Sequence, residues 1–356
     1  MGKSAIRALM LAISAFFSFN ALAYDIVVAK DGSGDYRTVQ EAINACPDYD
    51  HGYITTIHIK AGVYRERVTI PHNKFRLHIS GDGADKTIIT YDTYAEQLWP
   101  GTDRKVGTSG SATMYIHSSY VTLEDLAVEN TAGEGKEIGQ AVALFTDGDF
   151  IFVHRCRLIG NQDTLYTYGR YGKDGGVKRN YYLDCYIEGT TDFIFGPSIC
   201  FFENCLIHQK KNSYVTAAST FEGQKYGYVF VGCKLTASEG VTKCYLGRPW
   251  GAYAKTVFMN CELGSHILPA GWHNWNKPGK PITEKCCYYA EYRNSGPGAV
   301  NLGGKAGKKS SGKLAVKLGR EPWSHQLTDA EAAEYTFAKV MFQSEDGIVW
   351  DPYDNR

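Results

Sequence analysis

"FVHRCRLIG" at residues 152–160 returns, changed but recognisable, as "YYLDCYIEG" at 181–189. It returns again as "FFENCLIHQ" (201–209), "FVGCKLTAS" (230–238) and "FMNCELGSH" (258–266). Each copy sets an aromatic or β-branched run before a cysteine and an alternating apolar residue after it. The shared positions are Cys156, Cys185, Cys205, Cys233 and Cys261, spaced by 29, 20, 28 and 28 residues. "YVTLEDLAVEN" at 120–130 fits the same frame with Leu126 in the cysteine's place, and "FRLHISGDG" at 75–83 is a weaker, earlier copy.

A repeat of this length, built of short strands with turn residues between them, implies a solenoid. The runs alternate with period two, which excludes helical repeats. No LxxLxL framework supports a leucine-rich repeat. The expected fold is therefore all-β: a right-handed parallel β-helix whose coils stack at about 4.8 Å. The cysteines then form an inward ladder, packing as small hydrophobes. Such a solenoid needs capped ends. "TVQEAINAC" at 38–46 predicts an N-terminal capping helix, with Thr38 and Glu41 as a capping box and Pro47 as its stop. "TDAEAAEYTFAKVM" at 328–341 predicts one C-terminal helix that starts at a Thr328–Glu331 box.

The chain opens with Lys3 and Arg7, an apolar run from Ala8 to Phe19, and "ALA" at 21–23. That is the architecture of a secretory leader, so residues 1–23 are expected to be removed and residues 24–356 to form a single domain. The destination is the periplasm or the extracellular space. Without Lys3 and Arg7 the chain keeps 36 basic residues against 38 acidic ones, a balance that argues against nucleic acid as a partner. After the leader no long uncharged apolar run remains, so no membrane partner is expected, and a monomer is. In an oxidising space, Cys185 and Cys205, the closest ladder pair in sequence, are the expected disulfide. Cys156, Cys233 and Cys261 are expected to stay reduced and buried.

Two segments share a second phase. "GNQDTLY" (160–166) and "GTTDFIFG" (189–196) each place an aspartate, Asp163 or Asp192, seven residues after a ladder cysteine. On adjacent coils the two should be neighbours. Close carboxylates titrate as a pair, one acid and one anion, which suits nucleophilic and general acid–base chemistry. Aspartates are also ordinary turn residues at strand ends, so the repeat alone leaves both readings open. Arg248, in "YLGRPWG" (245–251), can orient one aspartate and keep it ionised. Trp250 can stack on a sugar, and Gln140, in "GQAVAL" (139–144), can donate to an oxyanion.

"GQAVAL", "GNQDTLY", "GTTDFIFG", "YLGRPW" and "PAGWHNW" (269–275), in this order and spacing, resemble the pectin methylesterases. The likeness runs from "DGSGDYRTVQEAI" to "PWSHQLTDAEAAEYT", most of the chain. It implies the same right-handed parallel β-helix. It also implies hydrolysis of methyl esters in methyl-esterified pectin (homogalacturonan), with release of methanol. By resemblance, Asp192 is the nucleophile, Asp163 the acid and then the base, and Gln140 and Gln162 are the oxyanion donors. Arg248 holds Asp192 charged. Thr113, in "SAT", and Trp250 match substrate-contacting positions, with Tyr166, Phe195, Trp272 and Trp275 as further aromatics of the cleft. Gln162 and Asp163 are adjacent and would face opposite ways on a regular strand, so both reach one site only if Gly160 and Asn161 introduce an irregularity. The basic segment 303–320 departs from the family's compact linker and reads as a solvated loop or a pectin-facing arm.

A polygalacturonase or pectate lyase could share this fold, and a non-catalytic carbohydrate-binding solenoid could share the aromatics. Gln140, Gln162 and Arg248 favour the esterase. No acidic cluster of the kind a lyase's calcium needs is found, and neither a metal nor another cofactor is expected. A serine esterase is disfavoured because no GxSxG elbow occurs.

Overall fold

The residue just before each ladder position takes the left-handed backbone conformation. Its φ is 56° at Asp125, 49° at Arg155, 51° at Asp184, 52° at Asn204, 64° at Gly232 and 53° at Asn260. Asn, Asp and Gly tolerate that region best and stand at all of these positions except Arg155, bending the chain sharply from one strand into the next. The computed structural model describes residues 24–49, 52–169, 176–275, 286–300, 319–342 and 350–355. The expected leader, 1–23, and the lysines Lys305, Lys308, Lys309, Lys313 and Lys317 lie outside the described residues.

Repetition of the bend winds the chain into a right-handed parallel β-helix with three sheets of 11, 8 and 7 strands among the described residues. The 11-stranded sheet runs from Tyr24–Val28 to His325–Gln326. All strand pairs joining neighbouring coils are parallel and in register, as in Tyr182↔Phe202↔Phe230↔Phe258. Equivalent side chains therefore stack. The rings of Tyr182, Phe202, Phe230 and Phe258 follow one another at 4.7, 4.3 and 4.2 Å inside the coil. Among the described residues no helix is long and apolar enough to cross a membrane.

The cysteine ladder lies in this core, and all five ladder cysteines are buried free thiols. The expected Cys185–Cys205 disulfide is thus absent. Cys185 Sγ donates to Val153 O and Leu183 O, both at 3.3 Å, and Cys205 Sγ to Tyr182 O and Glu203 O, both at 3.4 Å. The reason is geometric. Leu183↔Glu203 and Tyr186↔Leu206 are paired on either side, so the two cysteines stack in register. Stacked Cβ atoms sit about one strand spacing apart, about 4.8 Å, whereas a disulfide wants about 3.8 Å. The Cα separation is permissive; the Cβ separation is not.

The N-terminal helix, Val39–Ala45, buries Val39, Ala42 and Ile43 against the first coils. Thr38 caps it by accepting from Glu41 N at 3.2 Å. The amides of Val39 and Gln40 go to the carboxylate of Glu66, at 3.0 and 3.1 Å. At the other end the single helix expected over 328–341 is two short ones, Asp329–Ala332 and Phe337–Met341. The Thr328–Glu331 box forms, but Thr336 is extended and caps a new start by accepting from Lys339 N. The break lets Phe337 drop onto Tyr181 and Phe201, with ring centroids at 4.5 and 5.4 Å, covering the outer face of the 11-stranded sheet. Arg320, counted with the basic segment, is instead buried, held by Glu291 at 2.8 and 3.0 Å.

Candidate active site

The outer face of the seven-stranded sheet carries a row of apolar side chains, one per coil. Tyr115, Phe145, Tyr166, Phe195 and the small Ala217 stand in register on successive strands. Tyr166 stacks on Phe195 at 4.1 Å. The Tyr166, Phe195 and Ala217 end of this row floors a cleft of about 600 Å³. Gln140, Gln162, Asp163, Asp192, Arg248, Trp250 and Trp275 line it, together with Tyr166 and Phe195.

Both aspartates sit at the entry to a strand of that sheet, Asp163 before Leu165–Thr167 and Asp192 before Ile194–Gly196. Each has a left-handed backbone, with φ of 68° and 50°. Their amides donate across coils, Asp163 N to Thr191 O at 3.1 Å and Asp192 N to Tyr214 O at 2.9 Å. The left-handed turn at Asp163 is the irregularity that lets Gln162 and Asp163 line one cleft. Gly135 leaves the space that the Gln162 side chain fills; a Cβ there would collide with it.

The two carboxylates are 8% and 7% exposed but differ in their partners. Arg248 donates to Asp192 through Nε to Oδ1 at 3.0 Å and Nη2 to Oδ2 at 2.7 Å. The Arg248 guanidinium is itself held between two rings, 4.0 Å from the centroid of Tyr214 and 3.9 Å from that of Trp275. Asp163 has no such fork. Burial, and then the Asp192 charge, push its carboxyl well above the usual carboxylate range, and Arg248 offsets this only in part. The site thus holds one carboxylate paired with a guanidinium beside one carboxyl whose environment favours its proton, with two amide side chains lining the same cleft.

Two expected site residues lie elsewhere. Thr113 is fully buried and its hydroxyl donates to Glu129 O at 2.9 Å, so it does not face the cleft. Trp272 is also fully buried, packed on Phe258 and Tyr289 in the core of the coil. Gly247 bridges to Trp272 in parallel, which turns that indole inward, while Trp275 three residues on reaches the cleft. Sequence reasoning missed Tyr214 and the wall formed by Val106, Gly107, Thr108 and Ser109. Counting coils from Asp192 leads to the strand that Tyr214 opens, Tyr214–Ala218, but nothing in the spacing selects that ring.

The pectinesterase family model matches residues 25–312. The chain is 41% identical to pectinesterase 5 of Arabidopsis thaliana over 77% of this chain and 45% of that one. It spans about half the length of the first curated relatives it matches, 45%, 52% and 46% of them. Among solved structures it is similar to carrot pectin methylesterase, with a TM-score of 0.75 and 32% identity over 90% of this chain and 93% of that one. It is also similar to a pectin methylesterase in complex with a hexasaccharide, with a TM-score of 0.72 and 30% identity over 93% and 99% of the two chains. A cleft with two phased aspartates, one in the grip of an arginine, on a parallel β-helix of this match places the chain in the pectinesterase family.

Proposed function

We propose that this protein is a carboxylic ester hydrolase that removes methyl esters from galacturonate units of pectin. The observation that carries the reading is the fork of Arg248 on Asp192 beside Asp163, whose burial and nearness to Asp192 push its carboxyl well above the usual carboxylate range. Asp192, held as the anion, attacks the ester carbonyl carbon. The carbonyl oxygen becomes an oxyanion, which the side-chain amides of Gln140 and Gln162 stabilise by hydrogen bonding. As the tetrahedral centre collapses, the bond to the methoxy oxygen breaks and Asp163 gives that oxygen its proton, so methanol leaves. An anhydride now joins Asp192 to the uronate. Asp163, ionised by that transfer, takes a proton from water, and the hydroxide attacks the uronoyl carbon. Asp192 departs as the carboxylate and Asp163 is again protonated. The apolar floor and Trp250 offer faces on which sugar rings can lie.

The reading extends to the whole chain. Residues 24–356 act as one domain behind a removable leader, 1–23, and the protein works outside the cytoplasm as a monomer on polymeric pectin. The continuity of the 11-stranded sheet from Tyr24 to Gln326 supports one domain. A glycosidase would also use two carboxylates, but Gln140 and Gln162 would then have no developing oxyanion to meet.

Incubation with highly methylated pectin tests the reaction class. Methanol release without new reducing ends is expected. New reducing ends would mean chain hydrolysis, and a new ultraviolet-absorbing double bond would mean a lyase; either would displace the proposal.

A further inference from the structure

Beyond the aromatic floor, the same sheet face carries a group of side chains that the ester chemistry does not use. His72, His117 and Asp147 follow the strands Val68–Ile70, Met114–Ile116 and Leu144–Thr146, on three successive coils of the seven-stranded sheet. One ligand atom from each lies within 4.8 Å of the others. We infer that His72, His117 and Asp147 bind one zinc-class divalent cation.

Two further observations support a site rather than a chance meeting. Asp147 is 5% exposed, so its carboxylate is placed in a largely buried pocket beside His117. The nearest imidazole nitrogen, His117 Nδ1, stands 3.7 Å from Asp147 Oδ2, too far for a hydrogen bond. That nitrogen is itself buried and unpaired. A buried ring nitrogen without a hydrogen-bond partner, beside a carboxylate too far away to pair with it closely, costs stability unless something sits between them. A cation coordinated by both would remove that cost.

The ligand set selects the metal. Two imidazoles and one carboxylate suit zinc and its neighbours, whereas calcium and magnesium demand oxygen ligands. Three protein ligands leave one position for water. A tetrahedral zinc needs its ligand atoms about 3.3 Å apart, so the group must contract. His117 is fixed by stacking on Tyr115 at 5.7 Å and by Phe145 at 5.6 Å, and Asp147 is buried. His72 is exposed and is the ligand free to swing inward. The site lies about 7 Å along the strands from Tyr115 and Phe145, two residues on. It is independent of the esterase reading, since no step above passes through it.

The test uses the purified full chain, freed of metal by chelator and titrated with zinc chloride in a calorimeter. The wild type is expected to take up one more equivalent of Zn2+ than His72→Ala, and Zn2+ should raise the melting temperature of the wild type alone. His72→Ala is chosen because an exposed side chain can be removed without endangering the fold; Asp147→Asn should lose the same equivalent. Calcium should do neither. Equal zinc uptake by the wild type and a folded His72→Ala overturns the site, and so does calcium binding in place of zinc.

Discussion

Arg248 binds Asp192 through two parallel hydrogen bonds, at 3.0 and 2.7 Å, while Asp163 on the neighbouring coil is left with no cation of its own. The pair is asymmetric by construction. The fork is a charge-assisted, bidentate contact that fixes direction as well as charge. Tyr214 and Trp275 both pack against the guanidinium, with ring centroids 4.0 and 3.9 Å away, which limits its freedom to turn toward Asp163.

Asp192→Asn and Asp163→Asn should therefore fail differently. Both keep the side-chain shape. Asp163→Asn removes the proposed general acid and should lower kcat by about 10²–10⁴. Asp192→Asn removes the proposed nucleophile and should cost more, because no covalent route would remain. Methanol release at fixed pH, with circular dichroism as a check on folding, measures both. Near-normal turnover by either variant would refute its role.

Arg248→Ala should move the acidic limb of the pH–rate profile to higher pH. A carboxylate that loses its paired cation holds its proton longer. The guanidinium also lowers the pKa of Asp163, so its removal raises that pKa further. Stripping one partner from a buried pair costs about 3–5 kcal/mol, which partial protonation of Asp192 can recover. Arg248→Lys keeps the charge and loses the fork, so its limb should move less while its rate still falls. A profile that drops in height without moving would count against the pairing.

The burial that makes Asp163 an acid also weakens the fold. Its folded pKa lies well above the ordinary value near about 3.9 that the unfolded chain retains. Between those two values the unfolded chain binds fewer protons, so stability falls as pH rises through the window. Below the unfolded pKa there is no penalty; above the folded pKa it is fully present. Asp163→Asn removes it. Urea unfolding of both proteins at a series of pH values should show the variant gaining on the wild type as pH rises. A difference that stays constant with pH would contradict the raised pKa.

The frame of the fold is legible because each coil must bury the same few positions. The apolar run, the ladder cysteine and the residue after it recur wherever a strand meets the interior. The turn was legible too, in the Asp, Asn or Gly before Leu126, Cys185, Cys205, Cys233 and Cys261, but it was not read as a left-handed bend. The same conformation at Asp163 resolves the conflict with Gln162. What spacing could not give is the direction of side chains after an irregular turn. Trp272 and Trp275 share one short motif, and only the bridge from Gly247 sends the first inward. Nor could spacing show that the Thr113 hydroxyl is turned from the cleft to donate to Glu129 O. The three ligands inferred to hold a cation were invisible for a related reason: 45 and 30 residues separate them in sequence, and stacking alone unites them.

Trp272 and Trp250 should then separate stability from binding. Trp272 is fully buried, and its ring meets Phe258 at 5.9 Å and Tyr289 at 4.8 Å inside the coil. Trp272→Ala should cost about 3–5 kcal/mol as a core truncation, and Trp272→Phe less, since much of the volume is kept. Neither should change KM for pectin while the protein remains folded. Trp250 is only partly buried and lines the cleft beside Phe195, at 5.9 Å between rings. Trp250→Ala removes a stacking face worth about 1 kcal/mol or more, so KM should rise severalfold with little loss of melting temperature. Kinetics and thermal melts of Trp272→Phe and Trp250→Ala, run side by side, decide the matter. A raised KM in Trp272→Phe would return that indole to the substrate, and an unchanged KM in Trp250→Ala would remove the other from it.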